Sequence, residues 1–222
     1  MLSHHEQDPR IKIAKRVAQE LREGDIVNLG VGIPTLIPDY LGKKQVYLQS
    51  ENGLLGMGPT PPEEKIDMDL ISASKKPVSM LPGASLFDSA DAFAMIRGGH
   101  VDVAVLGALQ VDQSGEIANW AVPGQRILGV GGAMDLLAGA KKVIVTLTHQ
   151  TKNGDPKLVK TLTYPRTGLR KADLIITEKA VFQVADGQLI LVEKDPELTL
   201  GQLRSITDAH FEIAADLSVS FK

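Results

Sequence analysis

The sequence predicts an α/β protein: an open, mainly parallel sheet with helices on both faces and a β-hairpin near the C-terminus. Short apolar runs rich in β-branched residues alternate along the chain with segments of helical periodicity. No repeat, low-complexity tract or long linker breaks that alternation, so residues 1–222 read as one domain with 1–8 as a flexible tail. Asp186-Gly187 stands between two strand-like runs, the dipeptide a type I′ hairpin turn favours.

The elements follow in order. Ile11, Ile13, Ala14, Val17, Ala18 and Leu21 form one helical stripe over residues 10–22, and Gly24 ends it. Residues 26–29 make a buried strand, and further strands are expected at 45–50, 78–81, 101–106, 143–148 and 173–177. Pro38 follows Pro34 by four residues; with Thr35 as N-cap it falls at the third helical position, where no backbone donor is needed. Residues 88–96 read as a helix stopped by Gly98 and Gly99. Residues 181–192 fold as the hairpin, and the last helix lies near 200–207.

Composition narrows the function classes. Apolar residues make up 43% and charged residues 23% of the 222, the balance of a folded globular chain. A net charge of −3 gives no general case for nucleic acid or an anionic membrane. No apolar run approaches the ~20 residues that span a bilayer, and the first eight residues lack the apolar core of a signal peptide. Without cysteine there is no thiolate nucleophile, disulfide or Cys-bearing metal site, and a cytoplasmic location is expected. His100, His149 and His210 are scattered, and His4-His5 lie in the tail, so no metal constellation emerges and no tightly bound cofactor is expected.

The chemistry concentrates at Leu48-Gln49-Ser50-Glu51-Asn52-Gly53-Leu54-Leu55-Gly56. A strand running to Ser50 and broken by Asn52-Gly53 leaves Glu51 at a strand end, the edge where open α/β sheets bind ligands. Glu51 is then either a solvated loop acid or a catalytic carboxylate, base or nucleophile, and local chemistry alone does not choose. Gly30-Val31-Gly32 and Gly129-Val130-Gly131-Gly132 resemble nucleotide loops but fail that pattern at Thr35 and Met134. Such glycines still permit close approach of backbone to a ligand, and Ala133 onward suggests a helix starting at the second loop.

The nine-residue string LQSENGLLG resembles the active-site signature of the β (B-type) subunit of the 3-oxoacid CoA-transferases. The resemblance extends through 27–35, 81–85, 93–102, 118–120, 129–136 and 176–182, nearly the whole chain in one order. It implies a CoA-transferase-like fold and a ping-pong reaction in which Glu51 is the nucleophile and carries a glutamyl-CoA thioester. It further implies an oxyanion hole from the N–H of Gly132, with Gly131 next. Asn52, Gly53, Gly30, Gly32 and Asn119 are the candidates for holding substrate. Coenzyme A enters as substrate. The chain resembles only one half of a two-part enzyme, which implies a partner α subunit, in an α2β2 assembly. Acetoacetate with succinate or a short fatty acid is the expected acid pair, and 3-oxoadipate the second choice.

Some features depart from the family: Pro38, the Tyr and Arg of 163–168, and 125–128 before the second glycine loop. The segment 141–171 holds eight Lys/Arg against one acid, Asp155; it is either a solvated face or an attractor of CoA phosphates or of an acidic partner chain. Two other functions stay open on sequence: an acyl-CoA hydrolase, in which water resolves the intermediate, and a non-catalytic ligand-binding module on the same fold.

Overall fold

The computed structural model describes residues 8–125, 127 and 129–219. The tail residues His4 and His5, and Arg126 and Leu128 of the divergent stretch, lie outside the described residues.

The chain opens with α1 (Pro9–Glu20), β1 (Ile26–Leu29), a 3-10 helix (Ile33–Tyr40), β2 (Tyr47–Ser50), β3 (Leu54–Met57) and β4 (Met80–Leu86). Next come α2 (Ser89–Arg97), β5 (Val103–Gly107), β6 (Gln110–Asp112), β7 (Ile117–Ala118), α3 (Ala133–Gly139) and β8 (Lys142–Thr146). The last part holds β9 (Leu158–Val159), β10 (Leu174–Ile176), β11 (Ala180–Ala185), β12 (Gln188–Lys194), α4 (Leu200–Ser205) and β13 (Phe211–Ser218). One large sheet runs β13-β12-β11-β10-β8-β5-β1-β2-β3-β4, and β7-β6-β9 form a small second sheet. The middle of the large sheet, β10-β8-β5-β1-β2, is parallel throughout. Its flanks are antiparallel except for the β12–β13 pair.

Strand alternation builds a core on each face. Val103 and Val105 of β5 point to the face covered by α1 and the 3-10 helix, where Ile13, Val17 and Ile37 are fully buried. Ala104 and Leu106 point to the other face, beneath Ile96 of α2 and Leu136 and Leu137 of α3. Each such aliphatic side chain removed from water stabilises the fold by about 1.5–3 kcal/mol. Near the C-terminus, Asp186 and Gly187 both adopt positive φ, +50° and +72°, and close the β11–β12 hairpin as expected of a type I′ turn.

The Thr35 N-cap is corrected. Gly32, at φ +93°, is the N-cap, and Pro34 sits in the first turn. Thr35 instead turns its hydroxyl back to the Gly32 carbonyl at 2.8 Å. Pro38 lies inside a 3-10 helix rather than at the third position of an α-helix. Sequence also missed β3, the small sheet and β13, and placed only the beginning of β4. Pro82 and Gly83 mark β4 as loop-like, but it is an edge strand, where a missing donor costs no ladder bond. In β13 most side chains are exposed, so little alternation is written into it.

His149 shows how tightly the parallel ends are tied. Its ring is fully buried, with Nδ1 3.0 Å from Thr177 Oγ1 and Nε2 2.8 Å from Thr207 Oγ1. Thr207 gives its hydroxyl proton to the Leu203 carbonyl, so its oxygen accepts from Nε2–H. The Thr177 hydroxyl can turn its proton to the Ala180 carbonyl or to Nδ1, and in the second orientation the neutral ring has both nitrogens satisfied. Burial, aided by the charge of Lys179, pushes the imidazole down to about 4 from an ordinary 6.5. The unfolded chain therefore binds more protons between these values, so stability is complete above the upper one and lost as pH falls toward the lower. A fall from about pH 7.5 to about pH 5 should cost about 2 kcal/mol through this group. Urea unfolding at the two pH values checks it: His149→Gln should remove that increment, and an unchanged pH slope would sink the assignment.

Candidate active site

The chain reverses at Ser50–Gly53. Gly53 N–H donates to the Ser50 carbonyl at 3.0 Å, β3 then pairs antiparallel with β2, and Glu51 and Asn52 occupy the turn. This is the three-residue hairpin loop in which the last residue takes positive φ, here Gly53 at +115°. A Cβ on Gly53 would overlap the Phe87 carbonyl oxygen, so the tight approach of β4's end to the turn requires glycine. Glu51 is thus held at the carboxyl edge of the parallel strands by backbone on both sides.

Period-two geometry puts Glu51 on the same face as Gln49, and Gln49 lies opposite Asn28 of β1 in the parallel register. Asn28 Nδ2 donates to Glu51 Oε2 at 3.1 Å and to Gln49 Oε1 at 2.6 Å. Both amides are 1% exposed, and among the described residues Asn28 Oδ1 and Gln49 Nε2 have no hydrogen-bond partner. Leaving such groups unsatisfied costs about 1–3 kcal/mol each, so this polar pair is not there for stability alone. Sequence reasoning missed it, although two amides inside otherwise apolar parallel strands were a visible signal.

Gly132 completes the surroundings. It is buried as the N-cap of α3, and a Cβ there would stand 3.5 Å from Glu51 Cγ and 3.3 Å from the Phe93 ring. Gly131 is exposed at φ +55°, with open space where a side chain would be. Neither N–H finds an acceptor among the described residues. Gly132 thus lies against the half-buried Glu51 side chain, while Gly131 stands in open space beside it in the chain.

The remaining candidates separate. Asn52 is exposed and its amide donates to the Ile71 carbonyl at 2.7 Å, away from the carboxylate, while Ser50 Oγ accepts from Ala73 N–H at 2.9 Å. Gly30 N–H donates to the Val105 carbonyl at 2.8 Å, joining β1 to β5, and Gly32 caps the 3-10 helix. Asn119 lies across the edge; its Oδ1 accepts from Thr167 Oγ1 at 2.8 Å. Trp120 Nε1 donates to the Arg166 carbonyl at 3.3 Å, so the divergent 163–168 stretch is docked beside Asn119. Within the basic segment, Lys141, Lys142, Arg166 and Arg170 are paired to Asp102, Glu20, Glu116 and Asp173. His100 and His210 are exposed. Among the described residues no three His, Asp or Glu side chains gather where a metal could be held, and no helix is long and apolar enough to cross a membrane.

Fold and site together define an α/β protein that presents a clamped carboxylate, packed against the glycine that caps α3, at the carboxyl edge of a parallel sheet. The chain belongs to the coenzyme A transferase family, whose model matches residues 10–197. It is 48% identical over 212 residues to the beta subunit of the acetate CoA-transferase of Escherichia coli (strain K12), covering 95% of this chain and 97% of that one. It is 48% identical over 204 residues to the B-type subunit of the succinyl-CoA:3-ketoacid coenzyme A transferase of Helicobacter pylori (strain ATCC 700392 / 26695), covering 92% and 99%. These relatives bear out the resemblance to the β half of such enzymes, and with it the assignment as a CoA-transferase. A mitochondrial succinyl-CoA:3-ketoacid coenzyme A transferase 2A of Rattus norvegicus is 47% identical over 216 residues, which are 96% of this chain but 42% of that protein. Among solved structures, an acyl-CoA transferase apoenzyme from Escherichia coli O157:H7 matches with a TM-score of 0.78 at 26% identity, over 96% of this chain and 43% of that one. Glutaconate coenzyme A-transferase from Acidaminococcus fermentans shares the fold, with a TM-score of 0.71 at 14% identity over 96% and 88%.

Proposed function

We propose that this chain is the β half of a CoA-transferase that moves CoA between an acyl-CoA and a short-chain carboxylate or 3-oxoacid. Acetoacetate paired with succinate or a short fatty acid is the favoured acid pair. The observation that carries the proposal is the Glu51 carboxylate, held by Asn28 and packed against Gly132 at the sheet edge.

The chemistry runs in two half-reactions. Glu51 attacks the thioester carbonyl, forming an acyl-glutamyl anhydride and expelling CoA thiolate. The thiolate attacks the glutamyl carbonyl, releasing the first acid as its carboxylate and leaving a glutamyl-CoA thioester. A second carboxylate reverses these steps and departs as the new acyl-CoA. A carboxylate is a weak nucleophile, so orientation must supply much of the rate; Asn28 on one oxygen aims the other. The N–H groups of Gly132 and Gly131 would bind the tetrahedral oxyanion, and CoA contacts made only at the transition state would add to kcat.

The single domain acts in the cytoplasm, assembled as α2β2 with its α partner. That partner is supported by the names of the relatives, which mark them as one of two kinds of subunit, and by longer relatives of which this chain spans less than half. Intact-mass spectrometry of the co-expressed complex mixed with acetoacetyl-CoA tests the mechanism. A CoA adduct should map to Glu51 and discharge on adding an acceptor acid. Absence of the adduct in a complex that binds CoA would overturn it, and discharge by water alone would mark a hydrolase.

A further inference from the structure

A second feature of the carboxyl edge lies one strand away from Glu51. A cavity of about 370 Å³ opens where β1, β5 and β8 end, bounded by Val31-Gly32, Gly107-Ala108-Leu109 and Thr146-Leu147-Thr148. In strand order β1 sits between β5 and β2, and the chain leaves β1 to one side for β2 and returns to the other for β5. The cavity therefore occupies the switch point of the parallel sheet, where ligands of such folds are received.

Its polar walls are unequal. Arg10 reaches the cavity but is committed to Asp8 at 2.7 Å. Lys157 lines it half-buried, and among the described residues it has no carboxylate within ion-pair distance. Its Nζ donates to Thr148 Oγ1 at 2.9 Å, and that hydroxyl gives its own proton to the Gln150 carbonyl. One of three ammonium donors is used, and Thr148 orients the rest. Burial holds the ammonium below its ordinary range, partly offset by the more distant Glu178, whose carboxylate is engaged by the His149 N–H at 2.9 Å. A half-buried cation is costly without a partner, and the cavity is where one can come from.

Asn119 supplies a second donor. The Thr167 hydroxyl bonds to its Oδ1, which fixes the amide, and its Nδ2 has no partner among the described residues. Lysine and a fixed amide in one small cavity match a carboxylate, which carries one charge on two acceptor oxygens.

We propose that Lys157 and Asn119 form a carboxylate-recognition subsite that takes the distal carboxylate of a short dicarboxylic acid. The proposal rests on the transferase reading for its place in the reaction, with Lys157 as a specificity-determining residue. Two measurements on the co-expressed complex separate its fate from that reading. In the first, kcat/KM is compared for a diacid acceptor, succinate, and a monoacid, butyrate. Lys157→Met should lower the succinate-to-butyrate ratio at least tenfold, and Lys157→Arg should restore part of it. Asn119→Asp, which keeps the acceptor for Thr167 but adds a negative charge, should lower it too. An unchanged ratio would overturn the proposal, as would a loss confined to KM for acyl-CoA, which would assign the cation to a CoA phosphate. In the second, succinate binding is read by saturation-transfer NMR without turnover. Loss of the signal in Lys157→Met supports the subsite even if the complex transfers no CoA; retention overturns it even if transfer is intact.

Discussion

Glu51→Gln is expected to lower kcat by at least about a thousandfold while leaving the complex folded. Glutamine has the size of glutamate, and its amide oxygen can still accept the Asn28 Nδ2–H that now goes to Oε2. What it lacks is a nucleophilic oxygen, so neither the anhydride nor the thioester can form. The loss corresponds to about 4 kcal/mol of transition-state stabilisation. Stopped-time assays of acyl-CoA transfer, with circular dichroism and CoA binding as controls, check it. Near-normal turnover would overturn Glu51 as the nucleophile and assign the covalent step to another group, and loss of folding would mean that the charge itself holds the turn.

Gly53→Ala should be the most damaging small substitution near the site, destabilising the chain by about 3–5 kcal/mol. Two penalties coincide there. Alanine at φ +115° is strained, and its methyl would collide with the Phe87 carbonyl, which is backbone and cannot rotate aside. Gly131→Ala is the contrast: its φ of +55° is tolerated by L-residues at modest cost, and nothing stands where the methyl would go. Denaturant midpoints for the two variants give the comparison directly. Equal midpoints would mean that the β4 end moves away from the turn freely.

Much of the parallel core was legible because apolar strands and helices keep to different periods. The stripe Ile13, Ala14, Val17 and Ala18 reads as a helix face, and the strands expected at 101–106 and 143–148 are found at Val103–Gly107 and Lys142–Thr146. The antiparallel flanks were harder. β3 hides a strand inside Leu54-Leu55-Gly56-Met57, where glycine reads as turn, and β13 is too exposed to alternate. Pairing with neighbours far along the chain makes them strands, and that information is not local.

The same division runs through the site. Sequence by itself determined that a glutamate would stand at a strand end before a turn, because Asn52-Gly53 tolerates turn conformations that other residues avoid. It also determined where the glycine loops would lie, since missing side chains are visible in any order of reading. Only the tertiary structure decided what surrounds the carboxylate. Asn28 meets Glu51 because β1 and β2 pair in one register out of several, and Gly132 meets it because α3 packs on that face rather than the other. Lys157 and Asn119 come together from opposite ends of the small sheet's connections around a shared cavity. Spacing along a chain carries a local turn, but a site assembled across strands depends on register and packing, which arise only when distant segments bury their apolar faces together.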